Sequence, residues 1–154
     1  PNRGTTFRIH LPRIDSGQPE KMRRTPTKAH GGGQVLLIDD DMYVRRATGR
    51  LIKSAGYEVV EVDCGQAGID AFLEDPKAFQ FVLLDLIMPG MSGLETYRHL
   101  RRIGPDATII LCSGGGKNEA SQALKEGADD FLHKPFTVED LMTAFSDAQL
   151  KSFR

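Results

Sequence analysis

From residue 34 onward, short apolar runs alternate with segments in which apolar residues recur at helical spacing. An apolar run too short for a helix predicts a strand, and a period of three to four residues predicts an amphipathic helix. The runs predict strands at 35–38, 57–62, 79–84, 108–112 and 130–133, and the periodic segments predict helices at 42–55, 66–74, 93–102, 118–126 and 137–150. These five β–α repeats predict an α/β fold with a doubly wound, five-stranded parallel sheet and helices on both faces.

The run at 81–84, with the sequence FVLL, contains no polar position. A strand that is apolar throughout is typical of the centre of a parallel sheet, where both faces are buried. The run ends at Asp85, and Pro89, Gly90 and Gly93 then predict a turn. Because ligands of open α/β sheets bind beyond the carboxyl ends of the strands, Asp85 is a candidate functional residue.

Residues 1–33 differ from the rest of the chain in pattern and charge. Residues 6–11 alternate apolar and polar side chains, which predicts one half-buried strand, and residues 13–33 have the Pro- and Gly-containing composition of a linker. The segment carries seven Lys and Arg against two acidic residues, so its charge is +5 and that of the remainder is −6. We interpret the segment as a linker rather than a nucleic-acid-binding arm, and the missing initial Met as the sign of a fragment.

The bulk composition, 40% hydrophobic and 27% charged, is that of a soluble globular protein. No apolar run approaches the ~18 residues of a membrane span and no secretory signal is present, so we expect a cytoplasmic chain without membrane contact. Cys64 and Cys112 are far apart and lack a CxxC pattern, so we expect both to be reduced thiols in the core, with metal ligation or a disulfide as the less favoured alternatives. We expect the basic residues of the helices, including Arg45, Arg46 and Arg101, to be solvated rather than to form a nucleic-acid patch.

Polar side chains follow four of the predicted strands, and in a parallel sheet these positions meet at one edge: Asp39, Asp40 and Asp41 after the first strand, Asp85 after the third, Ser113 after the fourth and Lys134 after the fifth. The three consecutive aspartates would also suit a helix N-terminus, but that role does not explain Asp85. Carboxylates ~4 Å apart repel by about 4 kcal/mol at an effective dielectric near ~20, so such a cluster binds protons or a cation. Oxygen ligands without His or Cys favour a hard ion such as Mg²⁺. A metal, an ammonium and a hydroxyl around one carboxylate can stabilise a phosphoryl group on it.

Four sequence motifs of this region resemble the response-regulator receiver domain of the CheY-like kind. They are IDDD at 38–41, LLDLIMPGMSG at 83–93, Ser113 after TIILC, and HKPF at 133–136. The resemblance covers about 118 residues, at 34–151, and implies a flavodoxin-like (βα)5 fold with strand order 2-1-3-4-5. It also implies that Asp85 accepts a phosphoryl group from a phosphohistidine in a two-component phosphorelay.

The same resemblance implies the ligands of the site. Asp40 and Asp85 would bind Mg²⁺ directly together with the backbone carbonyl of Ile87, while Asp39 would act partly through water. The phosphoryl oxygens would then be held by two further side chains, Ser113 and Lys134.

The resemblance further implies a conformational switch. Phe131 would be the aromatic residue that reorients when Ser113 moves toward the phosphoryl group, which alters the face formed by the fourth helix, fifth strand and fifth helix. The Lys134–Pro135 bond would be cis. Such a domain promotes its own phosphorylation and dephosphorylation without being a turnover enzyme.

A second resemblance concerns GTTFRIHLP at 4–12, which is similar to the last strand of a histidine-kinase ATP-binding domain. It implies a kinase remnant at 1–12, a linker at 13–33 and the C-terminal receiver of a hybrid sensor kinase, whose parent chain can be membrane-anchored. The expected partners are a histidine kinase or a histidine phosphotransfer domain, with no direct nucleic-acid contact and with weak dimerisation.

Two other classes of protein compete with this interpretation. A haloacid-dehalogenase-type phosphohydrolase would use Asp39 as its nucleophile, but Tyr43 departs from its DxDx[TV] pattern and Asp85 stays unexplained. A receiver-like module that only binds partners would require a defective site, whereas every required side chain is present. The glycines around Ser113 fit neither a nucleophile elbow nor a P-loop.

Overall fold

The computed structural model describes residues 33–115, 121–122 and 124–152, together with residue 8. The predicted kinase strand at 1–12 and linker at 13–33 lie outside the described residues, apart from Arg8 and Gly33. The domain boundaries proposed for this segment therefore stay predictions.

The described residues form one parallel sheet with helices on both faces. The strands are β1 (Gln34–Ile38), β2 (Glu58–Val62), β3 (Phe79–Asp85), β4 (Ile109–Ser113) and β5 (Asp130–His133), in the order β2-β1-β3-β4-β5. The helices are α1 (Met42–Ser54), α2 (Gly65–Glu74), α3 (Gly93–Ile103) and a C-terminal helix (Val138–Ser152). The predicted fold class and strand order are confirmed, and the bounds of these elements differ from the predicted ones by at most two residues.

The predicted helix at 118–126 is described only in part. Residues 121–122 and 124–125 are helical and residue 126 lies in the turn that follows, whereas 118–120 and 123 lie outside the described residues. Gly127 closes this turn with a φ of 93°, a conformation that glycine adopts without a steric penalty.

The three inner strands, β1, β3 and β4, bury both of their faces because successive side chains alternate between two apolar layers. Val35 and Leu37 of β1 face α1 and the C-terminal helix, whereas Leu36 and Ile38 face α2 and α3. In the first layer, the ring of Phe81 in β3 stacks on Phe145 of the C-terminal helix with 4.1 Å between the ring centroids. The unbroken apolar sequence of β3 is thus explained by its central position between both layers.

Local capping interactions fix where the helices begin. The side chain of Asp41 accepts hydrogen bonds from the backbone N–H groups of Tyr43 and Val44 and so caps α1. Ser92 and Glu95 form a reciprocal capping box at the start of α3. Both helices begin directly after a strand-end loop, so these caps also fix the loops that carry the acidic residues.

Two expectations about single residues are wrong. Cys64 is exposed at the start of α2, because it lies in the N-terminal loop of that helix rather than on its buried face, while Cys112 is buried as expected. Arg101 is also not a solvated residue: its side chain is 25% exposed and pairs with Asp129 at 2.8 Å. The same guanidinium donates to the carbonyls of Pro105 and Ala107, so it joins the end of α3 to the strands that follow.

Among the described residues, none of the helices combines the length and the apolar character that crossing a membrane requires.

Candidate functional site

The carboxyl ends of β1, β3, β4 and β5 bring the predicted site residues to one edge of the sheet. Asp39 directly follows β1, Asp85 and Ser113 are the last residues of β3 and β4, and Lys134 directly follows β5. The parallel register pairs Asp85 with Cys112 and Ser113 with His133, so these strand ends are level with one another. The predicted convergence at this edge is therefore present in the structure.

Lys134 joins the two buried carboxylates of the site. Its ammonium nitrogen lies 2.6 Å from Oδ2 of Asp39 and 2.6 Å from Oδ2 of Asp85. The Asp39 side chain is 1% exposed and that of Asp85 is 10% exposed, so the ammonium partly neutralises two carboxylates that have little access to water. Burial acts to lower the pKa of Lys134, but the neighbouring Cys112 and the two carboxylates together outweigh that effect and the pKa is raised.

The second oxygen of each buried carboxylate is held by the backbone. Oδ1 of Asp39 accepts a hydrogen bond from the N–H of Asp41 at 3.0 Å, and Oδ1 of Asp85 accepts one from the N–H of Ile87 at 3.1 Å. Burial raises the pKa of Asp39, and the nearby charge of Asp85 adds to this effect against the opposing influence of Lys134. Both carboxylates are thus fixed in direction by contacts from two different loops.

Asp40 completes a cluster of three carboxylates. One oxygen from each of Asp39, Asp40 and Asp85 lies within 4.8 Å of the others, and Asp40 is the exposed member of the group. A donor set made only of oxygen atoms, open to solvent on one side, fits a hard cation that retains water ligands, which is the preference of Mg²⁺. The residues present therefore fit the predicted ion.

The loop between β3 and α3 holds Asp85 through a close backbone approach. The N–H of Gly93 donates to the carbonyl of Leu86 at 3.1 Å, and a Cβ on Gly93 would collide with the carbonyl oxygen of Asp85. Gly90 has a φ of 77°, which is a turn conformation that glycine favours. Ile87, whose carbonyl is a predicted metal ligand, lies in this loop with 59% of the residue exposed.

Ser113 and Phe131 lie at the end of β4 and the start of β5. Ser113 is fully buried, and its Oγ accepts a hydrogen bond from the N–H of Gly115 at 2.9 Å. Phe131 is half-buried against the layer that contains α2 and α3, and its ring makes an edge contact with His133 at a centroid distance of 4.8 Å. The Lys134–Pro135 bond is cis, as the resemblance implied.

Sequence reasoning missed one residue at this edge. Arg45, which we expected to be solvated, donates from Nη1 to the carbonyl oxygens of Asp39 and Asp40. Its position in the first turn of α1 is the available signal, because a long basic side chain there can fold back over the loop. The sequence spacing alone does not predict that the Arg45 side chain adopts this conformation.

Comparison with known proteins agrees with this geometry. Chemotaxis protein CheY from Thermotoga maritima is 33% identical over 117 residues, which cover 75% of this chain and 96% of that protein. Sensor kinase CckA from Brucella abortus is 32% identical over 155 residues, which cover 94% of this chain. The chain spans only 16% of the length of that kinase.

Solved structures share the fold. The response regulator protein TrrA from Thermotoga maritima, solved in complex with Mg²⁺ and BeF, superimposes with a TM-score of 0.68 at 27% identity, covering 75% of this chain and 98% of that one. A sequence model of the family described as the response regulator receiver domain matches residues 35–146. The chain therefore belongs to the response regulator receiver domain family and is a phosphoacceptor module of two-component signalling.

Proposed function

We propose that Asp85 is the phosphoacceptor of this receiver domain and that it takes its phosphoryl group from a phosphohistidine of a donor protein. The observation that carries the proposal is the position of Lys134, whose ammonium contacts both Asp85 and Asp39 at 2.6 Å beside a third carboxylate. A nucleophilic carboxylate needs one face open to the donor and positive charge to receive the transferred oxygens. Asp85 lies at the strand edge with 10% of its side chain exposed, more than the 1% of Asp39, and it has the Lys134 ammonium beside it.

The transfer is an in-line displacement at phosphorus. An oxygen of the Asp85 carboxylate forms the new P–O bond while the P–N bond to the donor imidazole breaks, and the imidazole leaves with the electron pair of that bond. Lys134 stays paired with Asp39. Its contact with the Asp85 carboxylate is replaced by a contact with the oxygens of the transferred phosphoryl group. Ser113 supplies its hydroxyl to the same group after turning from its hydrogen bond with Gly115.

Mg²⁺ is the ion proposed for the carboxylate cluster. Asp40, Asp85 and the carbonyl of Ile87 are its proposed protein ligands, with Asp39 acting partly through water. When bound, the ion neutralises charge that develops on the phosphoryl oxygens. Asp39 is held on one side by Lys134 and on the other by Asp41, which suits a residue that orients water rather than one that swings toward the ion.

Phosphorylation is proposed to change the face next to β5. Movement of Ser113 toward the phosphoryl group leaves space that the half-buried ring of Phe131 can enter. The surface formed by the predicted fourth helix, β5 and the C-terminal helix would then change shape. Partners that read this surface would distinguish the two states. A histidine kinase or a histidine phosphotransfer domain is the proposed phosphodonor.

The parent protein is proposed to be a hybrid sensor kinase. The alignment with the Brucella kinase covers 94% of this chain. Residues 33–154 alone are a smaller share of the 154 residues, so the alignment also includes part of the N-terminal segment. This supports a kinase remnant at 1–12, a linker at 13–33 and a receiver at 34–151. The proposed localisation of the receiver is cytoplasmic.

The phosphohydrolase alternative is not supported by the geometry of Asp39. Its carboxylate oxygens accept hydrogen bonds from Lys134 and from a backbone N–H, as those of Asp85 do, but its side chain is only 1% exposed, against 10% for Asp85. A nucleophile in that position would have no open face toward a substrate. A module that only binds partners would not need the convergence of Lys134 and three carboxylates at one edge.

The proposal is tested with a histidine kinase core that carries a radiolabelled phosphohistidine. In the presence of Mg²⁺, the label is expected to move to this protein as a hydroxylamine-sensitive acyl phosphate that maps to Asp85. Label that arrives equally on the Asp85→Asn variant, or that resists hydroxylamine, would overturn the assignment.

A further inference from the structure

The guanidinium of Arg45 lies over the loop that connects β1 to α1. Its Nη1 donates to the carbonyl oxygen of Asp39 at 2.6 Å and to that of Asp40 at 3.3 Å. Arg45 itself is fixed in the first turn of α1, because its backbone N–H donates to the carbonyl of Asp41 at 2.8 Å. The side chain therefore connects a rigid helix to the loop that carries two of the three clustered carboxylates.

The two carbonyls belong to the peptide planes on either side of one residue, Asp40. The carbonyl of Asp39 shares a rigid plane with the N–H of Asp40, and the carbonyl of Asp40 shares the next plane with the N–H of Asp41. The second plane is also held from its other end, since the N–H of Asp41 donates to Oδ1 of Asp39 at 3.0 Å. Arg45 thus constrains both backbone dihedral angles of Asp40.

The side chain of Asp40, unlike those of the other two clustered aspartates, is not held by a contact of its own among the described residues. The carboxylates of Asp39 and Asp85 each contact Lys134 and a backbone N–H, but within the part of the chain that the structure describes the Asp40 carboxylate has no hydrogen-bond partner. It is also the exposed member of the cluster. The direction of its side chain is therefore set by the backbone on which it stands.

We propose that Arg45 is a positioning residue for Mg²⁺: by clamping the two peptide planes around Asp40, it aims that carboxylate at the ion. The inference rests on the proposed function, in which Asp40 is a metal ligand, and adds a residue that touches neither ion nor phosphoryl group. A ligand that is already aligned loses less conformational freedom when it binds. Loss of such a supporting contact weakens metal binding by about 10- to 100-fold.

The charge of Arg45 acts in the opposite direction. A guanidinium close to the cluster repels a divalent cation, so removal of that charge alone would strengthen Mg²⁺ binding. Positioning and charge thus predict changes of opposite sign for the same substitution. Arg46 provides a matched control, because it is the next residue of α1, is exposed, and makes no side-chain hydrogen bond or ion pair among the described residues.

The test is a Mg²⁺ titration of the unphosphorylated protein, followed by the amide NMR signals of Asp40 and Asp41. Arg45→Met is expected to bind Mg²⁺ about tenfold more weakly than wild type, whereas Arg46→Met is expected to stay within roughly twofold. Arg45→Lys keeps the charge but not the planar guanidinium, and is expected to bind more weakly than wild type. Thermal unfolding of each variant identifies any that does not fold. If Arg45→Met does not fold, the comparison of Arg45→Lys with wild type decides the test.

Two further readouts separate positioning from a general loss of structure. In Arg45→Met the amide hydrogen of Asp41 is expected to exchange faster, while the rate of phosphoryl uptake at saturating Mg²⁺ stays within roughly twofold of wild type. Unchanged or tighter Mg²⁺ binding by both Arg45 variants would overturn the inference, as would a wild-type protein that binds no Mg²⁺. The Mg²⁺ affinities of wild type and the variants can follow the expected order while wild type takes up no phosphoryl group. In that case the role of Arg45 stands and the proposed function fails.

Discussion

The ammonium nitrogen of Lys134 lies 2.6 Å from Oδ2 of Asp85, which ties the end of β5 to the end of the central strand β3. The same nitrogen lies 2.6 Å from Asp39 at the end of β1. One cation therefore joins three strand ends across the middle of the sheet edge. Because the contact also places positive charge beside the proposed nucleophile, it links the stability of this edge to its chemistry.

The cost of burying Asp39 leads to a prediction about pH. Burial raises the pKa of Asp39 in the folded state above its usual 3.8, so the folded state binds its proton more tightly than the unfolded state does. Stability therefore falls as the pH rises from 3.8 through the raised pKa, and the full cost is present above that raised pKa.

Asp39→Asn removes this cost while Asp85 stays paired with Lys134, so it is expected to stabilise the metal-free protein above the raised pKa by about 1 kcal/mol. The gain is expected to shrink as the pH is lowered toward 3.8. Urea unfolding in the presence of a chelator, repeated across this pH range, measures both effects. A gain that stays constant with pH would show that Asp39 does not titrate in this way.

Mg²⁺ is expected to stabilise the protein through the carboxylate cluster. An ion that binds only the folded state adds about 2.7 kcal/mol at a concentration one hundred times its dissociation constant. Asp40→Asn is expected to lose most of this stabilisation. Asp41→Asn is the matched control, because the Asp41 side chain caps α1 and an asparagine can accept the same two hydrogen bonds. Equal loss in both variants would indicate a response to net charge rather than a site.

The close approach of Gly93 to Asp85 predicts a strong effect of one methyl group. Gly93→Ala would drive a Cβ into the carbonyl oxygen of Asp85 and is expected to destabilise the fold by about 2 kcal/mol and to slow phosphoryl uptake. Gly114→Ala provides the control, because a Cβ at that position meets no atom within 4 Å. Chemical denaturation of both variants makes the comparison. A Gly93→Ala protein as stable as Gly114→Ala would contradict the described loop.

The network around Arg101 lies at the opposite edge of the sheet and is predicted to support stability alone. Arg101 pairs with Asp129, whose Oδ2 also accepts a hydrogen bond from the N–H of Ile109 at 2.7 Å. Arg101→Met is expected to destabilise the fold by about 2 kcal/mol, whereas Arg102→Met should change stability by less than ~0.5 kcal/mol. Denaturant unfolding measures the difference, and both variants should take up phosphoryl groups at the wild-type rate. A loss of uptake in Arg101→Met would show that the two edges are coupled.

Much of the fold could be predicted because its strands and helices differ in period. The apolar sequence of β3 indicates a strand buried on both faces, and the structure places Phe81 and Leu83 in one layer and Val82 and Leu84 in the other. The strand ends then follow from the parallel arrangement, which is why Asp39 and Asp85 could be placed together. Strand order rested on the resemblance, since local pattern does not specify which strands are neighbours.

Contacts made by long or peripheral side chains could not be predicted. In the hydrophobic pattern, Arg45 and Arg101 occupy polar positions of the kind that solvated helix residues have. Arg45 nevertheless contacts backbone carbonyls before the first turn of α1, and Arg101 contacts backbone carbonyls after the last turn of α3. Cys64 was expected to be a reduced thiol in the core because no CxxC pattern indicates another role, but it lies in a capping position where the chain turns at the surface. These outcomes depend on side-chain conformation and loop geometry, which hydrophobic periodicity does not encode.

The central claim is that Asp85 carries the phosphoryl group and depends on Mg²⁺ to receive it. The most direct measurement is the intact mass of the protein after incubation with acetyl phosphate, with and without Mg²⁺, for wild type, Asp85→Asn and Asp39→Asn. We predict one phosphoryl adduct on wild type in Mg²⁺ and none on Asp85→Asn or without the metal. A full adduct on Asp85→Asn, or steady release of phosphate that is abolished by Asp39→Asn alone, would contradict the account.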